Sequence, residues 1–147
     1  MNDIVTDRAV LKEPCEAVDS IEEGLQIAET LIQKLEEQTN AIGIAANQVG
    51  ICKQVCIVRV DRTIILINPR IVRQAGEVLY REGCLSFPQE EVETKRFFSI
   101  SVQADNYEEI QDFVPHDARS LLECICIQHE IDHLRGITMH DRAMGGK

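Results

Sequence analysis

The sequence predicts an α+β domain: antiparallel β-sheets packed around one central helix near the C-terminus, with a second helix near the N-terminus. Three observations predict it. A capped helical stripe covers residues 20–38. Short β-rich runs punctuated by Gly, Pro and Asn fill residues 54–114. A second helical stripe begins after Asp117. The chain has 147 residues, 44% of them hydrophobic, enough for a single domain over residues 1–147 with a core of its own.

Residues 1–19 read as irregular, with Pro14 and Cys15 in a loop. Ser20 and Glu23 form a capping box. Behind it Ile21, Leu25, Ala28, Ile32 and Leu35 make the apolar stripe of a helix from Ser20 to Gln38, whose acidic outer face is solvated. Residues 41–50 are mostly small, which lets a backbone approach another chain or a ligand closely. Gln48 is the one long amide there, and a tight loop with a solvated glutamine accounts for this segment equally well. Gln54 to Val60 and Thr63 to Ile67 read as a hairpin turning at Asp61-Arg62. Asn68-Pro69 ends its second strand. A strand follows at Ile71 to Ala75, and Gly76 marks a turn. Glu82 to Ser86 reads as a loop that Pro88 interrupts. Lys95 to Asp105 reads as one long strand with Ile110 to Val114 as its neighbour, joined by a turn at Asn106-Tyr107. Asp117 is the N-cap of the last helix, on which Leu122, Ile125, Cys126, His129 and His133 share a face. Gly136 stops that helix. Gly145, Gly146 and Lys147 are expected to fray.

The formal net charge of -10 argues against direct nucleic-acid or anionic-membrane binding. No export signal is evident, and no run approaches the roughly 20 apolar residues of a membrane span. With no such signal, Cys15, Cys52, Cys56, Cys84, Cys124 and Cys126 are read as thiols, metal ligands or core residues rather than disulfides. Cys52 and Cys56 have no second pair of ligands at matching spacing, so burial is the better reading of both.

The chemistry concentrates at His129-Glu130-Ile131-Asp132-His133. Residues four apart share a helix face, so His129 and His133 can hold one metal ion. Glu130 can then act as general base on a water that the ion activates. This is the H-E-x-x-H arrangement of metal-dependent hydrolases; an amphipathic helix that happens to carry two histidines is the competing reading. Cys84, in Glu82-Gly83-Cys84-Leu85-Ser86, could add a thiolate as third ligand, and Leu85 could aim its backbone N–H at a bound oxygen. A buried loop cysteine is the plainer alternative. His116 and His140 have no partners at ligand spacing and read as structural.

Three stretches stand in order: Gly43-Ile44-Ala45-Ala46-Asn47-Gln48, then Glu82 to Ser86, then His129 to His133. Together they resemble the three signature motifs of the peptide deformylases, and the resemblance extends over nearly the whole chain. It implies a metal site of Cys84, His129 and His133 holding one divalent ion. Ferrous iron is the expected native metal, with zinc, nickel or cobalt able to substitute. It implies removal of the N-formyl group from the initiator methionine of nascent polypeptides, with formate released. Glu130 would be the general base, and Gln48 and the Leu85 N–H would stabilise the oxyanion. Ile42, Gly43, Glu82, Leu122 and Ile125 would surround the methionine side chain, although core packing rivals that reading for the three apolar residues. Arg96 matches an arginine near the substrate path, or is solvated at the surface. Asp132 orients a ligand histidine or pairs with a basic residue.

Two departures stand out. Family members commonly carry Gly where this chain has Ala41. Longer members continue into a C-terminal helix, whereas this chain stops soon after His140, as phage forms do, so ribosome docking through that helix is not expected. A monomer in the cytoplasm is expected, the host's cytoplasm if the chain is phage-encoded. An amidase for another N-acyl group and a metal-stabilised binding module are the rival classes. A formyl-versus-acetyl comparison would separate the first, and a fourth protein ligand would mark the second.

Overall fold

The computed structural model describes residues 4–144. The N-terminal segment holds one helical turn, α1 (Arg8–Leu11), where irregular chain was expected. Asp7 caps it by accepting from the Ala9 N–H at 2.9 Å. Its purpose in packing is Leu11, which is fully buried against Phe87 and Met139. Helix α2 (Ile21–Glu36) lies where the capping box placed it. Ser20 Oγ accepts from the Glu23 N–H at 3.1 Å, and Glu23 in return accepts from the Asp19 N–H. The stripe, however, is rotated. Gly24, Ala28, Leu31 and Leu35 face inward, while Ile21 and Leu25 are exposed. Both sets keep helical spacing, so only the packing partner decides between them.

Strands β1 (Gly43–Ala45), β2 (Val55–Arg59) and β3 (Thr63–Ile67) form an antiparallel sheet in that order. The expected hairpin forms, with Arg59 opposite Thr63 and Val55 opposite Ile67. Both faces of this sheet are buried, which is why Val55 to Val58 and Ile64 to Ile67 are continuous apolar runs instead of alternating. Val55, Ile57 and Ile67 pack with α2. Cys56, Val58, Ile64 and Leu66 pack on the opposite side with the last helix, α3 (Ala118–Leu134).

The second sheet runs β4 (Arg70–Ala75), β7 (Ser99–Gln103), β8 (Gln111–Phe113), all antiparallel neighbours. Its Ile100, Val102 and Phe113 close the core around α3. Between β4 and β7 in sequence lies a hairpin, β5 (Val78–Cys84) and β6 (Phe87–Arg96), that the sequence reading missed. The expected long strand from Lys95 is broken as a result. Lys95 and Arg96 end β6, and β7 starts at Ser99. At the break the Phe97 backbone leaves its sheet and bonds the Gln128 side chain at both its N–H (3.0 Å) and C=O (2.9 Å).

Asp117 caps α3, accepting from the Ser120 N–H at 2.8 Å. Gly136 ends the segment with φ +77, and a Cβ there would lie 2.3 Å from the Lys12 carbonyl oxygen. Residues Cys124 to Leu134 of α3 are buried on every side. Antiparallel sheets around a central helix, with α2 outside them, give the α+β class expected. All six cysteines are free. Cys56 is buried as expected, but Cys52 is exposed, and Cys15 lies in the core. Gly145, Gly146 and Lys147 lie outside the described residues.

Candidate active site

The two α3 histidines project from one face because they are one turn apart; their ring centroids are 4.9 Å apart. Cys84 reaches them from the end of β5. The hairpin register jumps there, from Glu82 opposite Val92 to Cys84 opposite Phe87, and such irregularities re-aim side chains. Cys84 Sγ lies 3.3 Å from His133 Nε2, and the ligand atoms of Cys84, His129 and His133 all fall within 4.8 Å of one another.

Behind them is a buried ionic network. His129 Nδ1 is 2.8 Å from Glu82 Oε1. Glu82 also accepts from Thr94 Oγ1 at 2.5 Å and from Arg96 twice, at 2.6 and 2.8 Å. Arg96 bonds Asp132 at 2.6 Å, and Arg142 grips the same carboxylate at 3.0 Å with both nitrogens. Two carboxylates thus meet two guanidiniums, and the bidentate forks give the geometry a buried charge needs. Burial alone would raise the Glu82 pKa, but bonds from Arg96 and His129 hold it down to about 2. Arg96 is therefore neither solvated nor open to a substrate path; it is buried behind the site. Asp132 takes the basic partners, Arg96 and Arg142.

The donor set fits a first-row divalent ion. One thiol and two imidazoles are ligands of intermediate softness, and three of them leave a coordination position open. The local field also favours a cation. Burial opposes protonation of His129, yet Cys84 and Glu82 push its proton affinity well up. Burial and His129 push that of His133 well down, which keeps it neutral as a ligand must be.

A cleft of roughly 480 Å³ opens over these residues. Ile42, Gly43, Gln48, Glu82, Cys84, Leu85, Leu122, Ile125, His129 and Glu130 all line it; of the residues singled out from the sequence, His133 is fully buried beneath, and Arg96 and Asp132 lie behind the site. Gln48 is buried, not solvated. Its Oε1 accepts from the Ala45 N–H at 2.9 Å, which turns its amide NH2 toward Ser86 Oγ (3.1 Å) and Cys84 Sγ (3.6 Å). Glu130 is buried, and its Oε1 has no partner among the described residues. Burial pushes its pKa up to about 7, against the pull of His129. β1 passes so close that a Cβ on Gly43 would lie 2.7 Å from Glu130 Oε2 and 2.6 Å from Cys126 Sγ. Glu82, expected beside a methionine side chain, is committed instead to His129 and Arg96, touching the cleft only from behind.

Sequence reasoning missed Thr94, Arg142, Cys126 and Asn47. Val92, Thr94 and Arg96 alternate along β6, so a period of two was the available signal for Thr94. Arg142 and Asn47 act through tertiary contacts that leave no local pattern, and Cys126, read only as part of the helix stripe, meets Glu130 one turn on.

A family model described as Polypeptide deformylase matches residues 1–147. The chain belongs to the peptide deformylase family. A relative named peptide deformylase, from Aquifex aeolicus, is 34% identical over 155 residues, covering 97% of this chain and 86% of its own. Among solved structures, the peptide deformylase of Thermotoga maritima superposes with a TM-score of 0.83 at 29% identity, covering 97% of both chains. A probable peptide deformylase of Synechococcus phage S-SSM7 gives 0.80 at 30% identity, covering 97% of this chain and 99% of that one. The peptide deformylase likeness therefore spans the fold that holds the cleft as well as the three motifs. No helix among the described residues is long and apolar enough to cross a membrane.

Proposed function

We propose that this chain is a metal-dependent hydrolase that removes the N-formyl group from the initiator methionine of nascent polypeptides. The observation that carries this is one juxtaposition. Three ligand atoms lie within 4.8 Å of one another, and a buried carboxylate, Glu130, whose Oε1 has no partner among the described residues, stands beside them on a cleft. Cys84, His129 and His133 would hold one divalent ion. Such an ion supplies Lewis acidity, making water nucleophilic near neutral pH and polarising a carbonyl.

The residues of the chain do the rest. Glu130 takes a proton from the attacking water as the new C–O bond forms at the formyl carbon. The Gln48 amide and the Leu85 backbone N–H donate to the oxygen on which negative charge gathers. One such donor is typically worth about 2.7–4 kcal/mol of barrier. Glu130 then returns the proton to the nitrogen as the C–N bond breaks, and formate and a free amino terminus leave. Ile42, Leu122 and Ile125 form apolar wall for the methionine side chain, Gly43 lets the peptide lie close to β1, and Glu82 holds His129 behind the cleft.

We further propose ferrous iron as the native metal, with zinc, nickel or cobalt suited to the same ligands. A monomer acting in the cytoplasm, with no direct nucleic-acid contact given a charge of -10, completes the reading.

The test is formate release from a formyl-Met-Ala peptide by anaerobically prepared, metal-loaded protein, beside Glu130→Ala. The parent is expected to release formate and the variant to keep its metal while losing turnover by orders of magnitude. Near-parental turnover in the variant would sink the mechanism, and faster release of acetate from acetyl-Met-Ala would replace the substrate.

A further inference from the structure

The two candidate ligand histidines are supported unequally by the residues so far described. His129 presents its Nδ1 to Glu82 at 2.8 Å. His133 points Nε2 at Cys84 Sγ, 3.3 Å away. If Nε2 is the ligand atom, Nδ1 carries the proton and needs an acceptor. That Nδ1 is buried and unpaired among the described residues. One other buried side chain nearby has the complementary defect. Asn47 is 2% exposed, and its Nδ2 donates to the His133 backbone oxygen at 2.7 Å. Its Oδ1 is an acceptor with no donor among the described residues. The amide cannot be flipped to hide this, because Oδ1 would then face the carbonyl oxygen.

We infer that Asn47 is the positioning residue for His133, as Glu82 is for His129; this rests on the metal site proposed above. The amide NH2 pins the last turn of α3 at the ligand itself. The amide oxygen is the acceptor on the Nδ1 side, through one ordered water that donates to Oδ1 and accepts from Nδ1–H. Asn47 also precedes Gln48 in the 3-10 turn Ala46–Val49. The same contact therefore registers Gln48 against the ligand set, so that Gln48 Nε2 and His133 Nε2 converge on one sulfur, at 3.6 and 3.3 Å. A purely structural role for Asn47 would need the carbonyl contact alone. It would leave the ring orientation, and hence the ion, indifferent to the residue.

The experiment titrates metal-free protein with Co2+, following the thiolate and visible absorption bands, and then times metal loss to a chelator. The parent is compared with Asn47→Leu, which is close in size but makes no hydrogen bond, and with Asn47→Ser, whose hydroxyl both donates and accepts. Asn47→Ala replaces the leucine variant if that one does not fold by circular dichroism. The apolar variant is expected to bind Co2+ about 10–100-fold more weakly, with shifted bands, as loss of such a partner typically does. Asn47→Ser is expected to recover part of that loss. An apolar variant with parental affinity and spectrum overturns the inference while leaving the metal site intact, and so does a serine variant no better than the apolar one. A parent that takes up no Co2+ overturns the site reading and this inference with it.

Discussion

Adding one methyl group at Gly43 should disable the proposed site by crowding Glu130. The Cβ of Gly43→Ala would lie 2.6 Å from Cys126 Sγ and 2.7 Å from Glu130 Oε2. Non-bonded carbons rest at about 3.5–4.0 Å, so β1 or these side chains must retreat by about 1 Å. Neither has room. Cys126 and Glu130 are on a helix buried all round, and Ile44 beside Gly43 is fully buried on the α2 side. Overpacking of this kind costs about 1–3 kcal/mol of stability. A displacement of about 1 Å at a positioned group costs on the order of 100-fold in rate. The assay is urea unfolding and kcat/KM for formate release on four proteins: parent, Gly43→Ala, Cys126→Ala and the double variant. Cys126→Ala removes one of the two clashes. The double variant should therefore be more stable than additivity predicts, by about 0.5–3 kcal/mol. Its activity should stay low, because the Glu130 contact remains. Additive stabilities, or parental kcat/KM in Gly43→Ala, would refute the close approach of β1 to Glu130.

Arg96→Leu should destabilise by about 3–5 kcal/mol in chemical denaturation, since it leaves the Glu82 and Asp132 charges buried with fewer partners. Leu31→Ala should cost about 2–5 kcal/mol, whereas Leu25→Ala, at a site 47% exposed, should stay within about 0.5 kcal/mol; thermal melts of the pair test the rotated face of α2. Partial burial works to raise the Asp141 pKa, but Lys12 Nζ at 2.7 Å and the Thr138 N–H at 2.9 Å hold it below the usual aspartate value. A lowered folded pKa adds stability above the unfolded value and loses it as pH falls through the folded one. Asp141→Asn should therefore melt below the parent at neutral pH, with the gap closing in acid.

Local signals were the ones that could be read. Ser20 and Asp117 announce helices through bonds spanning three residues. The hairpin of β2 and β3 needs only its own turn, and His129 and His133 meet because one helical turn separates them. The hairpin of β5 and β6 was hidden for a physical reason. Many of its side chains are exposed, the charged Glu90, Glu91 and Glu93 among them, and Gly83 and Pro88 punctuate it like a loop. The break after Arg96 depends on Gln128, 31 residues away, so the run looked continuous. Asn47 meets His133 across 86 residues, a distance over which periodicity carries nothing.

Helix α3 shows why such a site needs a central helix. An amphipathic surface helix could offer two histidines to an ion, but its polar face would be wet. Here Gln128, His129, Glu130, Asp132 and His133 are all buried, and each such group is costly unless paired. The frame pairs nearly all of them. Gln128 takes both ends of the Phe97 peptide, Asp132 takes two arginines, and His129 takes Glu82. On these five side chains the only buried atoms without a partner among the described residues are Glu130 Oε1 and His133 Nδ1; Glu130 borders the cleft, and the backbone oxygen of His133 accepts from Asn47. Pairing elsewhere keeps α3 stable enough to hold the first of these atoms buried at the edge of the cleft, where the proposed reaction takes up a proton.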